Sequence, residues 1–327
     1  MRQPNLTAMP HPAQRQGSIL DEPARRAPVL PLPRGRTARR LAVLTFQDVT
    51  DPAAFRAQME RLQRTANPVS PAAVESALAD GVPLPPHATL VSFELGHRSV
   101  ADTALPVLAA LGIPAVAFVV AGLVDTETPY WWHEAEYLAG PGGRARGLSG
   151  RMPGGVTAAL SALPDPDRRR SLEELRVTAR RQAPGCAQLT SADLSALRAA
   201  GVAIGNHTLG HARLEYCDDY AVREEVLGGH ERLARLTGEE PTAFAYPDGG
   251  FDGRAEVLLR ERGYRSAFLS DGALFGLRPA GAGGSERPDP LRISRLRVNA
   301  GTARGLFDAV LSGWNPAVRR LRGEVAV

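Results

Sequence analysis

The chain has 327 residues, 43% of them hydrophobic and 23% charged, and a net charge of +4. That balance excludes a disordered polymer and leaves apolar side chains for one large core or two ordinary ones. All 39 basic residues are Arg, a bias that fits a GC-rich genome. The Arg pairs Arg25-Arg26, Arg39-Arg40 and Arg319-Arg320 lie in the two tails without interleaved aromatics, which argues against a nucleic-acid surface.

Residues 1–40 are rich in Pro, Arg and Gln with little apolar periodicity and read as a disordered leader. No apolar run follows a charged start, so no secretory signal is expected, and a cytoplasmic location is the expectation. Leu41–Phe46 is an apolar run suited to a buried strand, and Gln47–Asp51 is its polar exit loop. Ala53–Arg64 has helical spacing, and Ser70 with Pro71 opens a second short helix to Ala79. Ala88–Phe93 is the next strand, Val100–Leu111 a helix stopped at Gly112, and Ala115–Val120 a strand. This β-α-β order implies parallel strands. The uncharged stretch Ala104–Val124 is long enough for a membrane span. Pro106, Gly112 and Pro114 interrupt it, so a buried helix, turn and strand are expected and no membrane span.

Tyr130–Leu138 opens a helix with a dense aromatic cluster, more readily a core anchor than a sugar platform. Residues 140–155 are loop-like and 156–183 helical; 140–187 together read as an insertion without its own core. The cysteines, Cys186 and Cys217, show no C-x-x-C spacing and predict no disulfide. Thr190 caps a helix to Ala200, and the apolar strand Gly201–Ile204 follows. A helix from Asp219 to Leu236, a strand Thr242–Tyr246, a helix from Asp252 to Arg262 and a strand Tyr264–Leu269 come next. Residues 271–290 are loop, Leu291–Val298 a last strand, Gly301–Gly313 a closing helix and 314–327 a tail. A helix ending at Gly and then a strand recurs at 112, 201 and 263. That pattern predicts a parallel α/β architecture with active residues at the carboxyl ends of strands.

Ile204–His211 places two imidazoles, His207 and His211, four residues apart just beyond a strand. That spacing can bring two neutral ring nitrogens onto one divalent metal, although a bare pair of this kind is as often two ordinary loop residues. The flanking motifs add more. Ser92-Phe93-Glu94-Leu95-Gly96-His97-Arg98, then His207-Thr208-Leu209-Gly210-His211, then Phe244-Ala245-Tyr246-Pro247-Asp248-Gly249 follow in order, with Trp131-Trp132 between and Leu291–Arg295 late in the chain. This ordered set resembles the polysaccharide deacetylases (carbohydrate esterase family 4, NodB homology) over residues 41–313.

The resemblance implies a distorted (β/α) barrel of about seven parallel strands. It also implies metal-dependent N-deacetylation of acetylated amino sugars, with carbohydrate as partner. In that family one Asp and two His hold a divalent metal, zinc by preference, a neighbouring carboxylate takes a proton from water, and a donor stabilises the oxyanion. Carried over by residue, His207 and His211 fit the metal imidazoles and Glu94 stands at the base position. Leu95 stands at the metal carboxylate, and Gln47 stands where an acid is expected and cannot protonate an amine. Asp248 is the candidate replacement ligand. The backbone N–H groups around Tyr246–Gly249 are the candidate oxyanion donors. Trp131, Trp132 and Arg295 are the candidate substrate contacts. His97 and His133 are further acid candidates, more readily ordinary surface or core residues. Two readings follow: a deacetylase with a remodelled site, or a catalytically inactive relative that binds glycan or serves as a scaffold.

Overall fold

The computed structural model describes residues 39–140, 142–146, 148, 155–277 and 288–312. The expected leader up to residue 38 and the expected tail lie outside them, as does part of the 140–155 loop. Strand β1 (Arg40–Phe46) carries alternating apolar side chains, and both faces are buried. Helix α1 (Pro52–Thr65) follows, capped by Asp51, whose carboxylate accepts from the N–H groups of Ala53 and Ala54. A short β2 (Asn67–Pro68) leads to α2 (Pro71–Ala79), capped by Ser70 as its sequence predicts. Strand β3 (Ala88–Phe93) precedes a wide helical turn over Val100–Ala104 and α3 (Leu105–Leu111). Gly112 ends α3 with φ 62°, a conformation that favours glycine. Strand β4 (Ala115–Val119) comes next, so the uncharged stretch is a buried helix–turn–strand.

Helices α4 (Trp131–Ala139), α5 (Gly155–Ser161) and α6 (Asp165–Thr178) form the insertion. Its apolar side chains, among them Trp132, Leu138, Leu160 and Leu172, make one buried cluster with Leu95 and Val120. The insertion is therefore packed onto the sheet. Helix α7 (Ser191–Ala199) starts with a reciprocal capping box between Thr190 and Asp193. Strand β5 (Val202–Asn206), α8 (Asp219–Arg223), α9 (Gly229–Thr237), β6 (Ala243–Ala245), α10 (Gly253–Glu261) and β7 (Ser266–Phe268) continue the alternation. Strands β8 (Phe275–Gly276) and β9 (Leu296–Arg297) and helix α11 (Arg304–Leu311) complete the described chain.

The strands form a curled sheet in the order β7-β6-β5-β4-β3-β1-β8. All pairings from β1 to β7 along this path are parallel, and only β8 runs antiparallel, on β1. β9 pairs parallel with β1, while Ile293, just before it, bridges to Phe268 in β7. The segment around 293–297 thus spans the two ends of the curl, as in a distorted (β/α) barrel. The expected last strand, 291–298, is real as a segment but pairs first with one neighbour and then with the other. Only its end is regular strand.

Leu41, Val43, Leu90, Val116, Phe118 and Phe268 fill the inside of the curl. Leu44, Phe46, Val91, Phe93, Val107 and Leu108 pack the outer face under the helices. The alternation of β1 between these two sets is the period-2 signature of a strand buried on both faces. Each fully buried Leu or Phe is worth about 1.5–3 kcal/mol. Among the described residues no helix is long and apolar enough to cross a membrane.

Candidate active site

Parallel strands deliver their following residues to one end of the curl. Phe46 pairs with Phe93, so Gln47 and Glu94 emerge side by side. His207 follows β5, Tyr246 follows β6, and Arg295 and Arg297 come from the closing segment. Residues two apart in an extended segment share a face. That is why Arg295 and Arg297 point the same way.

Glu94 is 3% exposed and accepts hydrogen bonds on both oxygens. Its Oε1 accepts from Gln47 Nε2 at 2.9 Å and from Arg297 Nη2 at 3.0 Å, and its Oε2 accepts from Arg295 Nη1 at 3.0 Å. Burial alone would raise the carboxyl's pKa. The guanidinium of Arg297, then that of Arg295, outweighs burial and holds the carboxyl well below the usual carboxylate range. Arg295 is completely buried, and its Nε donates to Leu269 O at 2.8 Å.

His207 is also completely buried. Its Nδ1 lies 2.8 Å from Ala245 O, so Nδ1 carries the proton and Nε2 presents a lone pair. Nε2 has no hydrogen-bond partner among the described residues. Burial lowers its pKa to about 4 against the raising effect of Glu94, and the charge of Arg295 lowers it too. The ring is neutral at pH 7. His211 is 3% exposed, with its ring 4.7 Å from that of His207. The loop carrying both is tied down from several sides. Asn206 Oδ1 accepts from Thr208 N at 2.9 Å, and Asn206 Nδ2 donates to Tyr264 Oη at 2.8 Å. Glu225 accepts from Gly210 N and from Arg169 of α6, so the insertion grips the histidine loop.

Four residues of this region, Leu95, Thr208, His211 and Asp248, have positive φ without being glycine. For Leu95, at φ 80°, this costs on the order of 1–3 kcal/mol. An Asp, which takes the left-handed region more readily, suits that backbone better than Leu.

The tryptophans do not form an open platform. Trp132 is 1% exposed, stacked on Tyr130 at 5.0 Å and packed on His211 at 4.8 Å. Trp131 is 8% exposed, with the Arg168 guanidinium 4.6 Å above its ring. They are the core-anchor alternative, and their indoles face protein. Arg295 likewise faces Glu94. Tyr246 cannot serve as backbone oxyanion donor, because its N–H is spent on Phe268 O at 3.0 Å. The Gly249 and Gly250 N–H groups are also spent, on Tyr246 O and Pro247 O. His133 is buried against Tyr130 and Trp132, away from a donor role to solvent. His97 Nδ1 accepts from Ser99 N at 3.1 Å, with Ser99 Oγ at 2.8 Å.

The donor set does not fit a divalent metal. Two imidazoles are present, but Leu95 offers only hydrocarbon and both oxygens of Glu94 are committed. Among the described residues no group of three His, Cys, Asp or Glu could hold an ion. Asp248 lies near enough to His207 to act on its charge, yet it is not gathered into a three-ligand set with the two histidines. The positive charge of Arg295 acts on His207, which disfavours a cation beside that ring. The sequence names Glu94 and Gln47 as catalytic candidates, His207 as a metal ligand and Arg295 as a substrate contact; the structure brings them into one cluster and adds Arg297, which the sequence reading missed. The two-residue step Arg295-Leu296-Arg297 was its only signal.

The family profile of polysaccharide deacetylase matches residues 81–267, more than half of the 327-residue chain. The chain belongs to the polysaccharide deacetylase family. Solved structures similar to it include the Streptococcus pyogenes deacetylase PplD in complex with acetate, 14% identical, with a TM-score of 0.57. That match covers 86% of this chain and 100% of the other. IcaB from Ammonifex degensii is 20% identical over 84% of this chain and 97% of its own, with a TM-score of 0.55. The BpsB deacetylase domain from Bordetella bronchiseptica is 18% identical over 80% and 97%, with a TM-score of 0.51. At these identities the likeness is one of fold. No curated protein sequence matches the chain. The positions expected from the sequence for the base, the imidazole pair and the metal carboxylate are those of Glu94, of His207 with His211, and of Leu95.

Proposed function

We propose that this member of the polysaccharide deacetylase family is not a hydrolase and uses the barrel to bind carbohydrate or to serve as a scaffold. The observation that carries the reading is the state of Glu94. A general base needs a lone pair facing water and a pKa near the working pH. Glu94 has three N–H donors on its two oxygens and a carboxyl held far into the ionised range. Such a group is a weak base, and each of its oxygens already accepts from a buried donor. Gln47, hydrogen-bonded to it, cannot supply the acid. Trp132 packs its indole on the ring of His211.

The test is acetate release from N-acetylglucosamine oligosaccharides by the full chain, with zinc, cobalt or manganese added. The reading predicts no release above buffer in any metal. Metal-dependent turnover abolished by His207→Ala would overturn it. A remodelled hydrolase is the second reading, and one observation favours it: the Nε2 lone pair of His207 is buried, neutral and close to the ring of His211.

A further inference from the structure

The charge around Glu94 does not close. Arg295 and Arg297 bring two positive charges to one carboxylate, and His207 is neutral beside them. The next carboxylate in electrostatic reach of Arg295 is Asp271, which accepts from Ser294 Oγ and makes no hydrogen bond to either guanidinium among the described residues. The hydrogen-bond count does not close either. Arg295 uses Nε on Leu269 O and Nη1 on Glu94, and its buried Nη2 has no partner among the described residues. Arg297 uses Nη2 on Glu94, while its Nε and Nη1 are buried and likewise without partner. An unmet buried donor costs about 1–3 kcal/mol, and more on a charged group. Arg295 is completely buried and the Arg297 side chain is 22% exposed, while the unpaired N–H groups of both are themselves buried.

We propose that this cluster is an anion site: the Arg295 and Arg297 guanidiniums take the carboxylate of a small ligand beside Glu94, where the family fold would hold a cation. Planar guanidinium N–H groups match the two oxygens of a carboxylate. A carboxylate also neutralises the surplus charge, which a metal ion would increase. The ligand chemistry is a carboxylate, supplied either by a free small acid or by an acidic sugar. The inference rests on the reading that no metal is held between the histidines.

The experiment uses the full chain, stripped of metal and then dialysed into chelator-free and chloride-free buffer, titrated calorimetrically with sodium acetate and separately with sodium glucuronate. Zinc is titrated in its own experiment without chelator, so the metal reading and the anion reading fail independently. Wild type is expected to bind at least one of the two acids saturably. Acetate alone marks a site limited to a free small acid, and glucuronate alone or more tightly marks a sugar acid. Arg297→Gln, which keeps a donor for Glu94 but removes charge and fork, is expected to weaken binding at least tenfold. Glu94→Gln removes the competing carboxylate and is expected to tighten it at least threefold, an increase that loss of structure would not produce. Circular dichroism checks that each variant is folded. No saturable binding of either acid by wild type overturns the proposal. So does binding that is unchanged in folded Arg297→Gln or weakened in folded Glu94→Gln.

Discussion

Replacing Glu94 by Gln preserves shape and volume, so its effect reports charge and hydrogen bonding rather than packing. In wild type the carboxylate is 3% exposed and accepts three hydrogen bonds, two of them from guanidiniums. Gln retains one acceptor oxygen and turns an NH2 towards a guanidinium. Removing one partner of a buried ion pair typically costs about 3–5 kcal/mol. Arg295 is completely buried and bears the full penalty, while Arg297 is 22% exposed and partly relieved by water. We expect a loss of about 3 kcal/mol. For a domain of this size that is a fall in Tm of roughly 4–6 °C. Urea unfolding of both proteins at pH 7, with the m-value checked for constancy, measures it. A catalytic carboxylate behaves oppositely: its removal is neutral or stabilising, because strained or repulsive site geometry is relaxed. A Glu94→Gln variant as stable as wild type, or more so, refutes the view that Glu94 is a structural centre.

Leu95→Asp places a carboxylate at the position the sequence resemblance assigns to a metal ligand, on backbone already at φ 80°. Without metal it should cost about 2–4 kcal/mol for a buried unpaired charge among Trp132 and Val120. Zinc should restore much of that loss, read as a zinc-dependent rise in Tm that wild type lacks; no rise means Leu95 does not face the histidines. His207 has a folded pKa of about 4, below its ordinary value. The unfolded chain therefore binds the proton first, and stability contributed by the neutral ring is lost as pH falls from about 6.5 to 4, up to about 3 kcal/mol. Urea midpoints across that window should fall less steeply in His207→Gln; equal slopes would contradict the burial argument. Gly229 has no room for a side chain, since a Cβ would lie 2.6 Å from Asn206 Oδ1 and 2.8 Å from the Thr208 carbonyl carbon. Gly229→Ala should cost about 1–3 kcal/mol by displacing the histidine loop, measured by thermal unfolding; a neutral result would show that the loop can yield.

The strands and helices were legible because their signals are local. The apolar run Leu41–Phe46, the Ser70-Pro71 start and the stop at Gly112 each act within a few residues, and all appear where the sequence places them. Elements that depend on partners were not legible. Phe275–Gly276 is a strand only because β1 has a free edge for it, and the 291–298 segment is divided between two neighbours. The cluster of Glu94, Gln47 and His207 could be read from motif order, since parallel strands bring their ends together. What the cluster does could not, because its state is set by Arg297, about 200 residues away. The tryptophan pair shows the same limit: its sequence fits a sugar platform as well as a core anchor, and the packing of Tyr130, Trp132 and His211 decides for the anchor.

The most direct test of the central claim is a calorimetric titration of zinc into the chelator-stripped full chain at pH 7. A Glu94 locked by two guanidiniums and a Leu at the ligand position predict no saturable heat above the buffer control. Stoichiometric, tight binding that disappears in His207→Ala would contradict that account and return the site to metal chemistry.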